Sequence, residues 1–108
     1  MSKWTEYVDA VRSGAAALAK GAVKDFASEI TDDAEAFARR SKADIERWIK
    51  MLAKHEISKT EFSDLIHGLK SLAAMNALKQ AGLAVTKIQR LRDQIIDLIV
   101  EKAFEVLL

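Results

Sequence analysis

No proline interrupts this chain of 108 residues, and apolar side chains recur at steps of three and four over nearly all of it. Proline inside a helix removes a backbone donor and clashes with the preceding turn, so its absence leaves every segment free to be helical. The most regular run passes through Ala74, Ala77, Ala81, Ala84, Ile88, Leu91, Ile95 and Leu98 without a miss. Positions at that spacing line one side of a helix and form a seam that packs along a second helix. The spacing predicts an all-α protein.

Two further stripes lie upstream. Trp4, Val8, Val11, Ala15, Leu18 and Ala22 form one, and Ala34, Ala38, Ser41, Ile45, Trp48 and Leu52 form the other. Between the upstream half and the seam, Ser58-Lys59-Thr60-Glu61 has the spacing of a capping box, in which the hydroxyl and the carboxylate each satisfy a backbone amide of the other residue. Ile57 and Phe62 flank it as a hydrophobic staple would. A helix therefore starts here and the previous one ends near His55. From Thr60 the pattern runs to the C-terminus, with Gly82 a weak point of roughly 1 kcal/mol against alanine but no break. At residues 30–33 the sequence fits a second break, where Thr31 suits a cap and Asp32, Asp33 and Glu35 suit the positive end of a helix dipole, and nearly as well a continuous helix.

The expected helices cover about residues 3–30, 32–56 and 59–107 of a single domain. If the first two are continuous, the chain is a long antiparallel hairpin, roughly 75–80 Å from end to end at 1.5 Å per residue. If they are not, it is a three-helix bundle. In the hairpin, the small-residue segment Ala10–Ala22, with its row Ala10, Gly14, Ala17 and Gly21, falls opposite bulky Arg92–Phe104, which suits interdigitation. Ile88, Leu91, Ile95, Leu98 and Ile99, widened by Ile96, form a stripe broader than one neighbour covers. The expectation is a homodimeric helical bundle with these residues at the interface or in the core, and Asn76 beside the seam as a register-setting candidate.

Composition narrows the function classes. Half of the residues are apolar and 31% are charged, which excludes intrinsic disorder. There is no cysteine, hence no thiol chemistry or disulfide framework. The start lacks the basic and apolar pattern of a signal peptide. The most apolar end, residues 83–108, is broken by Lys87, Arg90, Arg92, Asp93 and Asp97, too densely for a membrane span. A cytoplasmic location is expected. The net charge of +1 conceals a basic middle and acidic ends, with twelve Lys/Arg against five Asp/Glu over residues 36–92.

Catalytic material is sparse. Asp64 and His67 have the i, i+3 spacing of a bundle metal site, but the pair occurs once and lacks companion carboxylates. His55-Glu56 lacks the second histidine of a zinc-protease helix. No nucleophile–base pair or phosphate loop is suggested, so no enzyme, cofactor or metal is expected. Trp4, Tyr7 and Trp48 suit core or rim packing. Arg39, Arg40, Arg47, Lys50 and Lys54 fall within about 100° of one helix surface, opposite the Ile45/Trp48 stripe. They form either a solvated face, held by Glu35–Arg39 and Glu46–Lys50 pairs, or a surface for a polyanion. Glu46 dilutes the face and no aromatic is interleaved for stacking.

The role expected from these features is a non-catalytic interaction or assembly module, self-associating through its C-terminal helix or pairing with another helical protein. The alternative is a peripheral binder of membrane surfaces, disfavoured at the C-terminal end by Asp93, Asp97, Glu101 and Glu105. A nucleic-acid binder ranks third. No small-molecule substrate is implied.

Overall fold

The first helix turns back long before the midpoint of the chain. The computed structural model describes residues 2–22, 24–69 and 82–108. Helix α1 spans Lys3–Ala22, and a 3₁₀ turn, Lys24–Phe26, leads into α2, Ala27–Arg40. A bend at Ser41 separates α2 from α3, Lys42–Ala53. Helix α4 is Lys59–His67, α5 is Val85–Lys102, and a closing turn of π geometry covers Ala103–Leu107. The chain is all-helical, and no strand occurs among the described residues. Residues Ala74, Asn76, Ala77 and Ala81 of the expected seam lie outside the described residues.

The long hairpin is not what forms. The molecule measures 43 × 29 × 20 Å, against roughly 75–80 Å for a continuous hairpin arm. No break forms at residues 30–33: Ile30, Thr31, Asp32 and Asp33 are interior to α2, and the chain turns instead at the 3₁₀ segment Lys24–Phe26. Their signals have other uses. The Thr31 hydroxyl donates to the Ala27 carbonyl at 2.7 Å, one turn back, and Asp32 accepts from Arg12 of α1 at 3.1 Å. Carboxylates that read as partners of a helix dipole are thus lateral partners of a neighbouring helix. The expected helix over 59–107 is likewise interrupted. It stops at His67, capped by Gly68, and α5 begins at Val85 after Gly82, whose φ of 70° no α-helix accommodates.

The midpoint turn forms as the sequence dictates. The Glu61 amide donates to Ser58 Oγ and the Ser58 amide donates to Glu61 Oε1, both at 3.0 Å. Helix α3 ends just upstream with His55 at φ 62°. The His55 amide donates to the Leu52 carbonyl and the Glu56 amide to the Met51 carbonyl, the Schellman pattern that glycine usually completes.

Helix α1 lies between α2 and α5 and buries Tyr7, Val8, Val11, Ala15 and Ala19. Ile30, Ala34, Phe37 and Ala38 from α2, Ile45 and Ile49 from α3, Phe62 and Ile66 from α4, and Leu91, Ile95, Ile96, Ile99 and Val100 from α5 complete one core. The Phe62 and Phe104 rings meet at 5.3 Å, tying α4 to the closing turn. Small against large recurs in the packing, since Gly14 of α1 faces the Leu98 side chain.

Tyr7 is a polar anchor within this core. It is fully buried, and its hydroxyl donates to the Ile99 carbonyl at 3.0 Å. Burial raises its phenol above the ordinary value of 10.0, because the low-dielectric core penalises the phenolate. The unfolded chain therefore ionises first. The stabilisation is complete below about pH 10 and is lost as pH rises above it. Alkaline titration followed by circular dichroism is expected to show unfolding in that range, delayed in Tyr7→Phe. An unchanged midpoint would mean that the phenol is not what fails.

Candidate functional site

The basic residues singled out by helical angle share one surface of the fold. Helix α3 buries Ile45, Ile49 and Leu52 against the core, which turns Arg47, Lys50 and Lys54 outward. Arg39 and Arg40 end α2 on the same side. They stay in line because the bend at Ser41 is shallow in hydrogen-bond terms. The Ser41 amide donates to the Phe37 carbonyl at 3.0 Å, and the Ser41 carbonyl accepts from the Ile45 amide at 2.8 Å. The ladder thus crosses the bend although Ser41 itself, at φ −95° and ψ 8°, has left helical geometry.

These five cations line an open groove of about 730 Å³, with Lys42 as a sixth and with Glu46 and Glu56 as acidic members. Ala43 and Met51 supply its apolar surface. Lys42 falls outside the basic sector read from helical angle, yet its side chain lines the groove beside Glu46, with which it pairs.

Several of the charges are already engaged. Arg39 pairs with Glu35 at 3.7 Å, as the i, i+4 spacing predicts. Glu46 pairs at 3.7 Å with Lys42, not with Lys50. Arg47 reaches Asp44 at 2.8 Å and lies over the Trp48 ring at 5.4 Å. Arg40 also has a partner. Among the described residues, Lys50 and Lys54 form no ion pair. Those two ammonium groups are the open valences of the groove. A second hollow lies between α3 and α4, lined by Trp48, Met51, Ile57 and Leu65 with Glu61 and Asp64. Met51 borders both hollows.

Of the two placements expected for the C-terminal stripe, interface or core, the single chain accounts for the core. Leu91, Ile95 and Ile99 are buried within the single chain, and Ile88 and Leu98 are half-buried. Helix α1 and the core cover the stripe that was expected to need a second copy. The free-energy argument for pairing through that stripe is thereby weakened, since Leu91, Ile95, Ile96 and Ile99 are buried within the chain. Only Val85 and Leu108 are large apolar side chains with substantial exposure among the described residues, at 69% and 47%.

His67 does not join Asp64. Its Nε2 lies 2.7 Å from Asp97 Oδ1, linking α4 to α5. Among the described residues, no three potential metal ligands gather at one point, and no helix is long and apolar enough to cross a membrane. In comparisons with protein-family models, curated proteins and solved structures, nothing matches this chain.

Proposed function

We propose that the chain is a non-catalytic helical interaction module that self-associates. The groove across α2 and α3 carries the reading. A merely solvated basic face has no need of concave shape or an apolar floor, whereas this one combines both with two unengaged ammonium groups. Docking surfaces join apolar contact to charges that set register and partner choice.

The C-terminal helix keeps a place in this reading, but through its outer side, because its apolar stripe serves the core. A lipid-surface role has less support, since among the described residues most of the large apolar side chains that would enter the acyl region are covered within the chain. A polyanion role is weakened by Glu46 and Glu56 in the groove wall and by the lack of an aromatic ring among its lining residues.

Sedimentation equilibrium of the intact chain from low to high micromolar concentration tests the proposal. A mass that climbs towards that of a dimer is expected at low ionic strength. A monomer throughout would remove self-association from the reading.

A further inference from the structure

The groove faces solvent with positive charge, and the outer side of α5 does so with negative charge. Asp93, Asp97, Glu101 and Glu105 recur every four residues from α5 into the closing turn, and all four are exposed. Asp97 pairs with His67 at 2.7 Å and Glu105 with Lys102 at 3.1 Å. Asp93 and Glu101 form no ion pair among the described residues, and none of the ion pairs there joins this row to the groove. One chain therefore presents two complementary surfaces that it does not close upon each other.

We propose that the groove receives the acidic row of α5 from a second copy of this chain, in a two-fold dimer containing the contact twice. The inference rests on the self-association proposed above and names its surface.

The spacings agree. Lys50 on α3 and Lys54 at its C-terminal cap are one turn apart, and Asp93, Asp97 and Glu101 are successively one turn apart on α5, a rise of about 6 Å in each case. Arg47, one turn before Lys50, extends the basic edge. Met51 and Ala43 give the aliphatic stems of the docked side chains an apolar surface.

The choice of occupant follows from charge. A nucleic-acid backbone bears a charge at every nucleotide and would meet Glu46 and Glu56 as well as the cations. Two discrete carboxylates one turn apart meet Lys50 and Lys54, which lie between Glu46 and Glu56 along the chain. A second copy is favoured over an unrelated acidic helix because the net charge of +1 arises from basic and acidic regions of similar size. A two-fold arrangement, in which residue i of one copy meets residue j of the other and the reverse, neutralises both. Exposed ion pairs contribute little each, so the dimer is weak and salt-sensitive.

Charge exchange tests the assignment on the full chain. Lys50→Glu/Lys54→Glu and Asp93→Lys/Glu101→Lys alter only exposed side chains without ion pairs among the described residues, and circular dichroism confirms that each variant folds. Sedimentation velocity is run at about 0.05 M and about 0.5 M salt, where the screening length falls from about 14 to about 4 Å. The unaltered protein is expected to dimerise in low salt and to dissociate in high salt. Each variant alone should self-associate at least about tenfold more weakly, the direction required by like charges at a docking surface. An equimolar mixture should restore the dimer, because both contacts in the mixed pair are again complementary.

A mixture that stays monomeric while the unaltered chain dimerises overturns the inference and leaves self-association standing on another surface. An unaltered chain that is monomeric even in low salt overturns both. A labelled single-stranded oligonucleotide provides a control arm. If it binds the unaltered chain and the groove variant loses it, while mixing restores no dimer, the groove serves a polyanion and the inference is wrong.

Discussion

Ile95→Asp combined with Ile99→Asp is expected to unfold the protein, not to release a helical monomer from a dimer. Both isoleucines are buried, at 1% and 0% exposure, and the Ile99 carbonyl accepts the hydrogen bond of Tyr7. Truncating either to alanine should cost about 2–5 kcal/mol from lost burial and the cavity left behind. Aspartate adds an unpaired charge in the core, which is costlier still. Against a total stability of about 5–15 kcal/mol, the double aspartate variant leaves no stable folded state. The two sites are one turn apart on α5, so the alanine effects will not add simply. Urea titrations of the single alanine variants measure the cost, and circular dichroism of the double aspartate variant should show loss of most helix. A variant that keeps its helix and only changes mass would place the stripe between chains.

The second large effect concerns the contact between α1 and α5. A β-carbon placed on Gly14 would lie 2.6 Å from Leu98 Cδ1 and 2.8 Å from Cδ2, closer than unbonded carbons come. For Gly14→Ala, the Leu98 tip must move. Alanine meanwhile gains about 1 kcal/mol over glycine within a helix, so the net change should be small. Gly14→Leu has no such escape, because the side chain must displace Leu98 altogether or part the helices. A loss of about 3 kcal/mol is expected, at the upper end of ordinary overpacking. Adding Leu98→Ala should recover part of it, with a coupling of about 0.5–3 kcal/mol in a double-mutant cycle. Equal effects of Gly14→Leu with and without Leu98 would mean that the two residues do not meet.

These two expectations mark where sequence pattern and tertiary structure part. Gly14 lies in a row of small residues, and that row opposite bulky C-terminal side chains is legible as a packing relation. The basic groove is legible in the same way. Arg39, Arg40, Arg47, Lys50 and Lys54 all line it, because outward direction on a helix follows from which residues its other side buries. Lys42 and Met51 flank that angular sector on α3 and are not legible as members from charge direction alone, and the place of Glu56 depends on the turn after α3.

What the sequence determined by itself is what nearest neighbours along the chain can decide. Helical spacing without proline makes the chain helical, and Ser58 with Glu61 starts α4, because both interactions close within one turn. Tertiary structure alone decided where the other helices stop and what covers the apolar stripe. Thr31, Asp32 and Glu35 suit a helix start locally, yet Arg12 from α1 claims both carboxylates, and α2 runs straight through them. Likewise, an apolar stripe specifies that something must cover it, but the hydrophobic effect has no direction and does not distinguish one helix from another. The 3₁₀ turn Lys24–Phe26 between α1 and α2 is what brings α1 of the same chain into that position.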